Sequence, residues 1–101
     1  MGIAADGFDW DAGNRDKCLK HGVSIAEIEA FLLANPRVAP DLRHSGQEDR
    51  LMAVGRNNRG RAIFVVFTIR SVDGKSLIRP LSARYMHRKE IEGYEAENSK
   101  A

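Results

Sequence analysis

Three arginines cluster near two apolar runs of the chain. Arg70 closes the run "AIFVVFTIR", Arg79 stands in "SLIRPLS", and Arg84 opens "RYMHRKE". A guanidinium is a planar fork of donors that grips a carboxylate or a phosphate with two parallel hydrogen bonds. Asp73-Gly74 between the runs is a strong two-residue hairpin signal. That turn sets Thr68 opposite Arg79, and cross-strand partners point to one side of a sheet. Arg70 and Arg79 then become diagonal neighbours on one face. Two cations so close repel unless an anion lies between them. A carboxylate from the preceding loop, such as Glu48, would serve, and so would a phosphate. The cluster is therefore either a set of sheet-surface arginines paired with local acids or a phosphate clamp that Arg84 extends.

The stretch "LKHGVS" offers a second candidate. Lys20 and His21 stand where a first helix gives way to a second. Basic residues oppose the dipole at a helix C-terminus, and Gly22 accounts for the turn, so capping explains both. The alternative is that the joint leans toward the arginine face, where His21 would move a proton or hold a phosphate. Other chemistries find less support. His21, His44 and His87 are scattered and the lone Cys18 has no partner thiol, so no metal site is expected. Cys18, in mid-helix, reads as a small core residue. Neither a glycine-rich phosphate loop nor a dinucleotide fingerprint occurs, and no cofactor is expected. Asp9 and Asp11 flank Trp10, where Asp11 serves as a helix cap.

The elements that must position these groups follow from periodicity and turn chemistry. Phe8 to Trp10 reads as a short extended or edge strand. Asp11 caps a first helix over about 12–20. Ser24 caps a second, with Glu27 completing a capping box and Ile25, Ile28, Phe31 and Leu32 on one face. Asn35-Pro36 stops it, and Pro36 to Glu48 reads as a loop with turn chemistry at Pro40 and Ser45-Gly46. Three strands follow, at 51–56, 61–70 and 76–82, then a last helix over about 86–97 with Ile91 and Tyr94 on one face. Pairing Arg56 with Arg61 across the first turn sets Ala53 opposite Phe64. One face then holds Ile63, Val65, Phe67, Ile69, Ile78, Met52 and Val54, with the two N-terminal helices as its cover. The other holds Phe64, Val66, Thr68, Arg70, Arg79 and Leu81 beside Ala53 and Gly55. Pro80 cannot donate to a ladder, so the third strand must be an edge or be bulged there.

The 101 residues fit a single domain, 1–101. Nothing at the N-terminus resembles a signal peptide, the longest apolar run is too short for a bilayer, and one cysteine forms no internal disulfide; a cytoplasmic protein is expected. The net charge of +2 hides an asymmetry. Residues 51–90 carry nine Lys/Arg against two Asp/Glu, whereas residues 1–50 carry six against nine. A central segment at +7 is a candidate polyanion footprint.

The order "FDWD", "KHGVS" with "EIE", "EDR" followed by "VGR", a central apolar strand ending in Arg70, and "SARYMHRKE" with Tyr94 resembles the BrnT toxins, small ribonucleases of bacterial type II toxin–antitoxin systems. The resemblance spans about residues 8–94. It implies an α+β, RelE/ParE-like fold: two N-terminal helices packed on one face of a small antiparallel sheet, with a C-terminal helix. It implies RNA cleavage without a metal, by attack of the ribose 2′-hydroxyl on the adjacent phosphate. Position by position, Lys20 and His21 fall on the family's Lys-His pair, Glu48 and Arg50 on its acidic-x-Arg segment, and Arg70, Arg79 and Arg84 on its strand-end and "SAR" arginines. The implied roles are catalytic for His21, Glu48, Arg79 and Arg84 and substrate-binding for Lys20, Arg50, Arg70 and Tyr85, with His21 or Glu48 as base and Tyr85 as an auxiliary donor. The implied partners are RNA and a ribbon-helix-helix antitoxin in a 2:2 complex. A non-catalytic RelE-like scaffold that binds an antitoxin, nucleic acid or another protein is the competing expectation.

Overall fold

Two tight turns set the sheet. Asp73 (φ 51°) and Gly74 (φ 78°) both take left-handed backbone, as a two-residue primed turn requires. They join β4 (Ala62–Val72) to β5 (Lys75–Tyr85), and Val72 pairs with Lys75. The other turn joins β3 (Leu51–Arg56) to β4. Asn57 donates its N–H to the Arg61 carbonyl at 2.9 Å and accepts from the Arg59 and Arg61 amides on its side-chain oxygen. With Gly60 at φ 78°, residues 58–60 form a three-residue connection.

The computed structural model describes residues 5–34, 36–40 and 50–99. Before β3 come β1 (Gly7–Phe8), α1 (Ala12–Leu19), α2 (Ile25–Leu33) and β2 (Arg37–Pro40); after β5 comes α3 (Arg88–Ser99). The five strands form one sheet, ordered β1-β5-β4-β3-β2. The fold is α+β, but the sheet is mixed rather than antiparallel, because β1 runs parallel to β5 through Gly7–Leu77 and Phe8–Ile78. The expected loop after Pro36 begins instead with β2, an exposed strand on which Pro40, lacking an N–H, sits at the sheet edge. Among the described residues no helix is long and apolar enough to cross a membrane.

Register decides which side chains share a face. Thr68 pairs with Arg79, as the hairpin signal demands. Beyond it a β-bulge intervenes: Phe67 pairs with Pro80 but Val66 pairs with Ser82 instead of Leu81. The three-residue turn shifts β3 by one position from the expected pairing, so Arg56 meets Ala62 and Ala53 meets Val65. A one-residue shift exchanges the faces of a strand. Ala53 and Gly55 therefore face the core, and Met52 and Val54 join Phe64 and Val66 on the opposite face. The core side of Gly55 is confirmed by Phe31, whose ring would lie 3.3 Å from a Cβ at that position.

Ile28, Phe31 and Leu32 of α2 meet Ala53, Ile63, Val65, Phe67, Ile78 and Ala83 in one buried cluster with Cys18 and Val23. Helix α1 lies against β5. Its Cys18 enters the core, whereas Gly13, Asn14 and Lys17 reach the opposite side of the sheet. The reciprocal capping box sits at Asp11 and Asn14, not at Ser24. Ser24 accepts the Glu27 amide at 3.1 Å, but the Glu27 carboxylate turns away to bind Tyr85, Asn57 and Arg59.

Candidate nucleic-acid interface

Proline at position 80 shapes one wall of the site. Past residue 78, β5 has no strand on its outer side among the described residues, and α1 takes that place. The Pro80 carbonyl accepts a buried hydrogen bond from Asn14 Nδ2 at 2.9 Å; the same amide group donates to the Asp9 carbonyl at 2.9 Å, and Asn14 Oδ1 accepts the Asp11 N–H at 2.7 Å. One buried side chain thus fixes the start of α1 to the strand that holds Arg79 and Arg84. Proline at the bulge, expected as an edge or a distortion, is both.

Between α1 and the sheet face turned away from α2 opens a cleft of about 470 Å³. Phe64, Val66 and Leu81 form its apolar floor, with Ser82 beside them. Arg50, Arg79, Arg84 and Lys17 rim it, with Gly13 and Asn14. Extending the β3–β4 register by one residue sets Arg50 beside Thr68, whose other neighbour is Arg79. These three residues form a row across three strands, about 10 Å from Arg50 to Arg79 at normal strand spacing. Arg84, opposite Phe64, stands four β4 positions away, roughly 13 Å along the strand.

Local carboxylates hold several of these cations. Arg79, partly buried, donates to Asp11 Oδ2 at 2.8 Å and lies 3.4 Å from Asp9 Oδ2. Asp9 also lies 3.8 Å from Arg70. Among the described residues, Asp9, delivered by the segment after β1, is the anion close to both Arg70 and Arg79. The Asn14 backbone N–H, which donates to Asp11 Oδ1 at 3.0 Å, and then Arg79 hold the Asp11 carboxyl below its usual range, and the Asp11–Arg79 contact raises Arg79. Arg84 grips Glu90 of α3 with both guanidinium nitrogens, at 2.7 and 2.8 Å, while lying 4.9 Å from the centre of the Phe64 ring. This fork, helped by the His87 amide, lowers the Glu90 carboxyl to about 2. Lys17 and Arg50 have no carboxylate partner among the described residues.

The candidate residues divide accordingly. Arg50, Arg79 and Arg84 share the cleft, and Arg70 adjoins it through Asp9. Lys20 and His21 are exposed at the α1–α2 joint, where Gly22 (φ 85°) reverses the chain, and neither lines the cleft. Glu48 and His44 lie outside the described residues, as does the side chain of Tyr94. Tyr85 does not join the arginines. Paired with Ile63, it belongs to the helix-covered face, where its hydroxyl donates to Glu27 at 2.9 Å and Arg61 stacks 3.5 Å above its ring. Burial, then Glu27, raises its phenol. Lys17 escaped the sequence reading, although it follows Asn14 by three residues and so shares its helix face. Among the described residues, no three His, Cys, Asp or Glu side chains gather as a metal would need.

An apolar floor rimmed by four cations beside the sheet of a small α+β protein is an arrangement with the charge to attract a polyanion. The family model of BrnT, the ribonuclease toxin of type II toxin–antitoxin systems, matches residues 10–90, and the chain belongs to that family. Membership brings with it an RNA substrate and an antitoxin partner. No curated protein matches the chain in a sequence comparison.

Proposed function

We propose that the chain is a metal-independent endoribonuclease toxin whose working surface is the arginine cleft. The observation that supports this reading is the convergence of Arg50, Arg79, Arg84 and Lys17 on one cleft in a member of a ribonuclease-toxin family. In the proposed reaction a base takes the proton of a ribose 2′-hydroxyl. The 2′-oxygen attacks the adjacent phosphorus, the P–O5′ bond breaks, and a proton goes to the departing 5′-oxygen. The products are a 2′,3′-cyclic phosphate and a 5′-hydroxyl end. Guanidinium groups stabilise the charge that builds on the non-bridging oxygens. Arg79 and Arg84 take that role, with Arg50, Arg70 and Lys17 holding flanking phosphates. Glu48, two residues before Arg50, is the proposed base. Lys20 and His21, outside the cleft lining, are assigned to capping and to outer contacts with RNA.

The wider reading is a cytoplasmic, RelE/ParE-like toxin neutralised by a ribbon-helix-helix antitoxin in a 2:2 complex. Incubating the protein with RNA in EDTA tests the chemistry: fragments ending in cyclic phosphate are expected. Arg79→Ala and Arg84→Ala should abolish cleavage while leaving most of the thermal stability intact. Intact RNA beside tight antitoxin binding would instead establish a non-catalytic scaffold. The observation favouring that second reading is that Asp11 and Glu90 already occupy Arg79 and Arg84.

A further inference from the structure

A site that held only a phosphate would need cations and a polar wall. This cleft also has an apolar floor, and its largest member is aromatic. Phe64 lies on the solvent-reached face of β4, only half-buried, between Val54 of β3 and Arg84 of β5. Val66 and Leu81 continue the floor toward Arg50 and Arg79. A half-open phenyl ring among four cations is poorly placed for core packing, since the core lies on the other side of the sheet. It is well placed to receive something flat and apolar attached to an anion. Arg84 lies over the ring, 4.9 Å from its centre, and Glu90 holds it there.

We propose that Phe64 is a base-stacking platform. An unpaired nucleobase next to the scissile phosphate takes the place over the phenyl ring that the Arg84 guanidinium holds, and the displaced guanidinium turns to the phosphate as it passes toward Arg79 and Arg50. Phe64 is a positioning residue: it orients the nucleotide and takes no part in bond making. A single phenyl ring offers one stacking face, so the substrate class is single-stranded or looped RNA; a paired and stacked base presents no free face. The proposal rests on the reading of the cleft as an RNA site.

The test uses short single-stranded RNA oligonucleotides in which every 2′-hydroxyl is methylated, with 2-aminopurine placed at successive positions. The wild-type protein quenches the fluorescence of the probe at one or two positions. Phe64→Leu keeps the apolar volume but removes the ring, and it should lose the quench and bind about tenfold more weakly, the effect of one stacked base. Phe64→Tyr restores both. The salt dependence of binding stays the same in all three proteins because the phosphate contacts remain, whereas Arg50→Ala flattens it. Melting curves confirm that each variant is folded, and rescue by Phe64→Tyr removes any ambiguity if Phe64→Leu is weakened. Equal binding and equal quenching by wild type and Phe64→Leu would overturn the platform. If wild type quenches the probe yet cleaves no unmodified RNA, the platform stands and the nuclease reading falls. If it cleaves RNA and Phe64→Leu behaves as wild type in every readout, the nuclease reading stands and the platform falls.

Discussion

Asn14 offers the sharpest test of how the cleft is held together. The side chain is 3% exposed and satisfies three backbone groups at once: the Asp11 N–H, the Asp9 carbonyl and the Pro80 carbonyl. Asn14→Ala deletes all three bonds and leaves the Pro80 carbonyl buried without a partner. A typical hydrogen bond contributes about 1 kcal/mol net, and stranding a buried acceptor costs about 1–3 kcal/mol. Alanine recovers roughly 0.5 kcal/mol through its better helix propensity. The expected loss is therefore about 3 kcal/mol, or about 12–20 °C in melting temperature for a domain of this size. Urea unfolding followed by circular dichroism measures it directly. Asn14→Asp sharpens the test, since the new carboxylate oxygen would face two carbonyl oxygens. Its pKa is raised in the folded state, so the variant should be most stable below the ordinary aspartate pKa, about 3.9, and lose stability as pH rises through the folded value. A loss under about 1 kcal/mol for Asn14→Ala, or an Asn14→Asp variant indifferent to pH, would refute the view that this amide clamps α1 to β5.

Two further predictions concern the acids that hold the ends of the sheet. Glu90 is depressed to about 2 by Arg84, so the anchoring of α3 is complete above the ordinary value of 4.5 and is lost as pH falls toward 2. Glu90→Gln should flatten the acid limb of a plot of melting temperature against pH, and should tighten binding of single-stranded RNA by removing an anion from Arg84. In Glu27→Gln the phenol of Tyr85 should titrate at lower pH than in the wild type, because the charge opposing phenolate is gone while Arg61 and Arg59, which favour phenolate, remain. Ultraviolet difference titration against Tyr85→Phe isolates that signal.

Much of the scaffold is legible in short-range chemistry. Asp73-Gly74 fixed the Thr68–Arg79 pair because a primed two-residue turn has only one register. Ser24 and Asp11 marked both helix starts. The errors arose where one residue decides parity. Asn57 to Gly60 reads equally as a four-residue or a three-residue connection, and only the left-handed Gly60 with the inward Asn57 amide selects the shorter. That single choice moved Met52 and Val54 to the cleft side and Ala53 to the core. The bulge at Leu81 could be located near Pro80 but not counted, since proline is compatible with an edge and with an added residue. β2 was hidden because "RVAP" has no periodicity of its own and gains its pairing from β3.

The arginines were legible as a cluster, but their partners were not, and the reason is geometric. Repulsion between Arg70 and Arg79 demands an anion, and the sequence offers many. Among the described residues Asp9 is supplied because β1 pairs in parallel with β5 at Leu77 and Ile78, which brings the following residues across the end of the arginine row. A parallel pairing between segments so far apart in the chain leaves no local trace in it. The same contact explains why the cations can sit together without substrate. Asp9, Asp11 and Glu90 pair with Arg70, Arg79 and Arg84 at the rim, each through a group still reached by solvent, so at the proposed site a phosphate would exchange one solvent-reached ion pair for another rather than discharge a buried charge. Lys17 and Arg50, without such carboxylates among the described residues, give the cleft its remaining attraction for a polyanion. Binding at such a site should then be led by those two residues, with Arg79 and Arg84 engaging only as their own carboxylates yield.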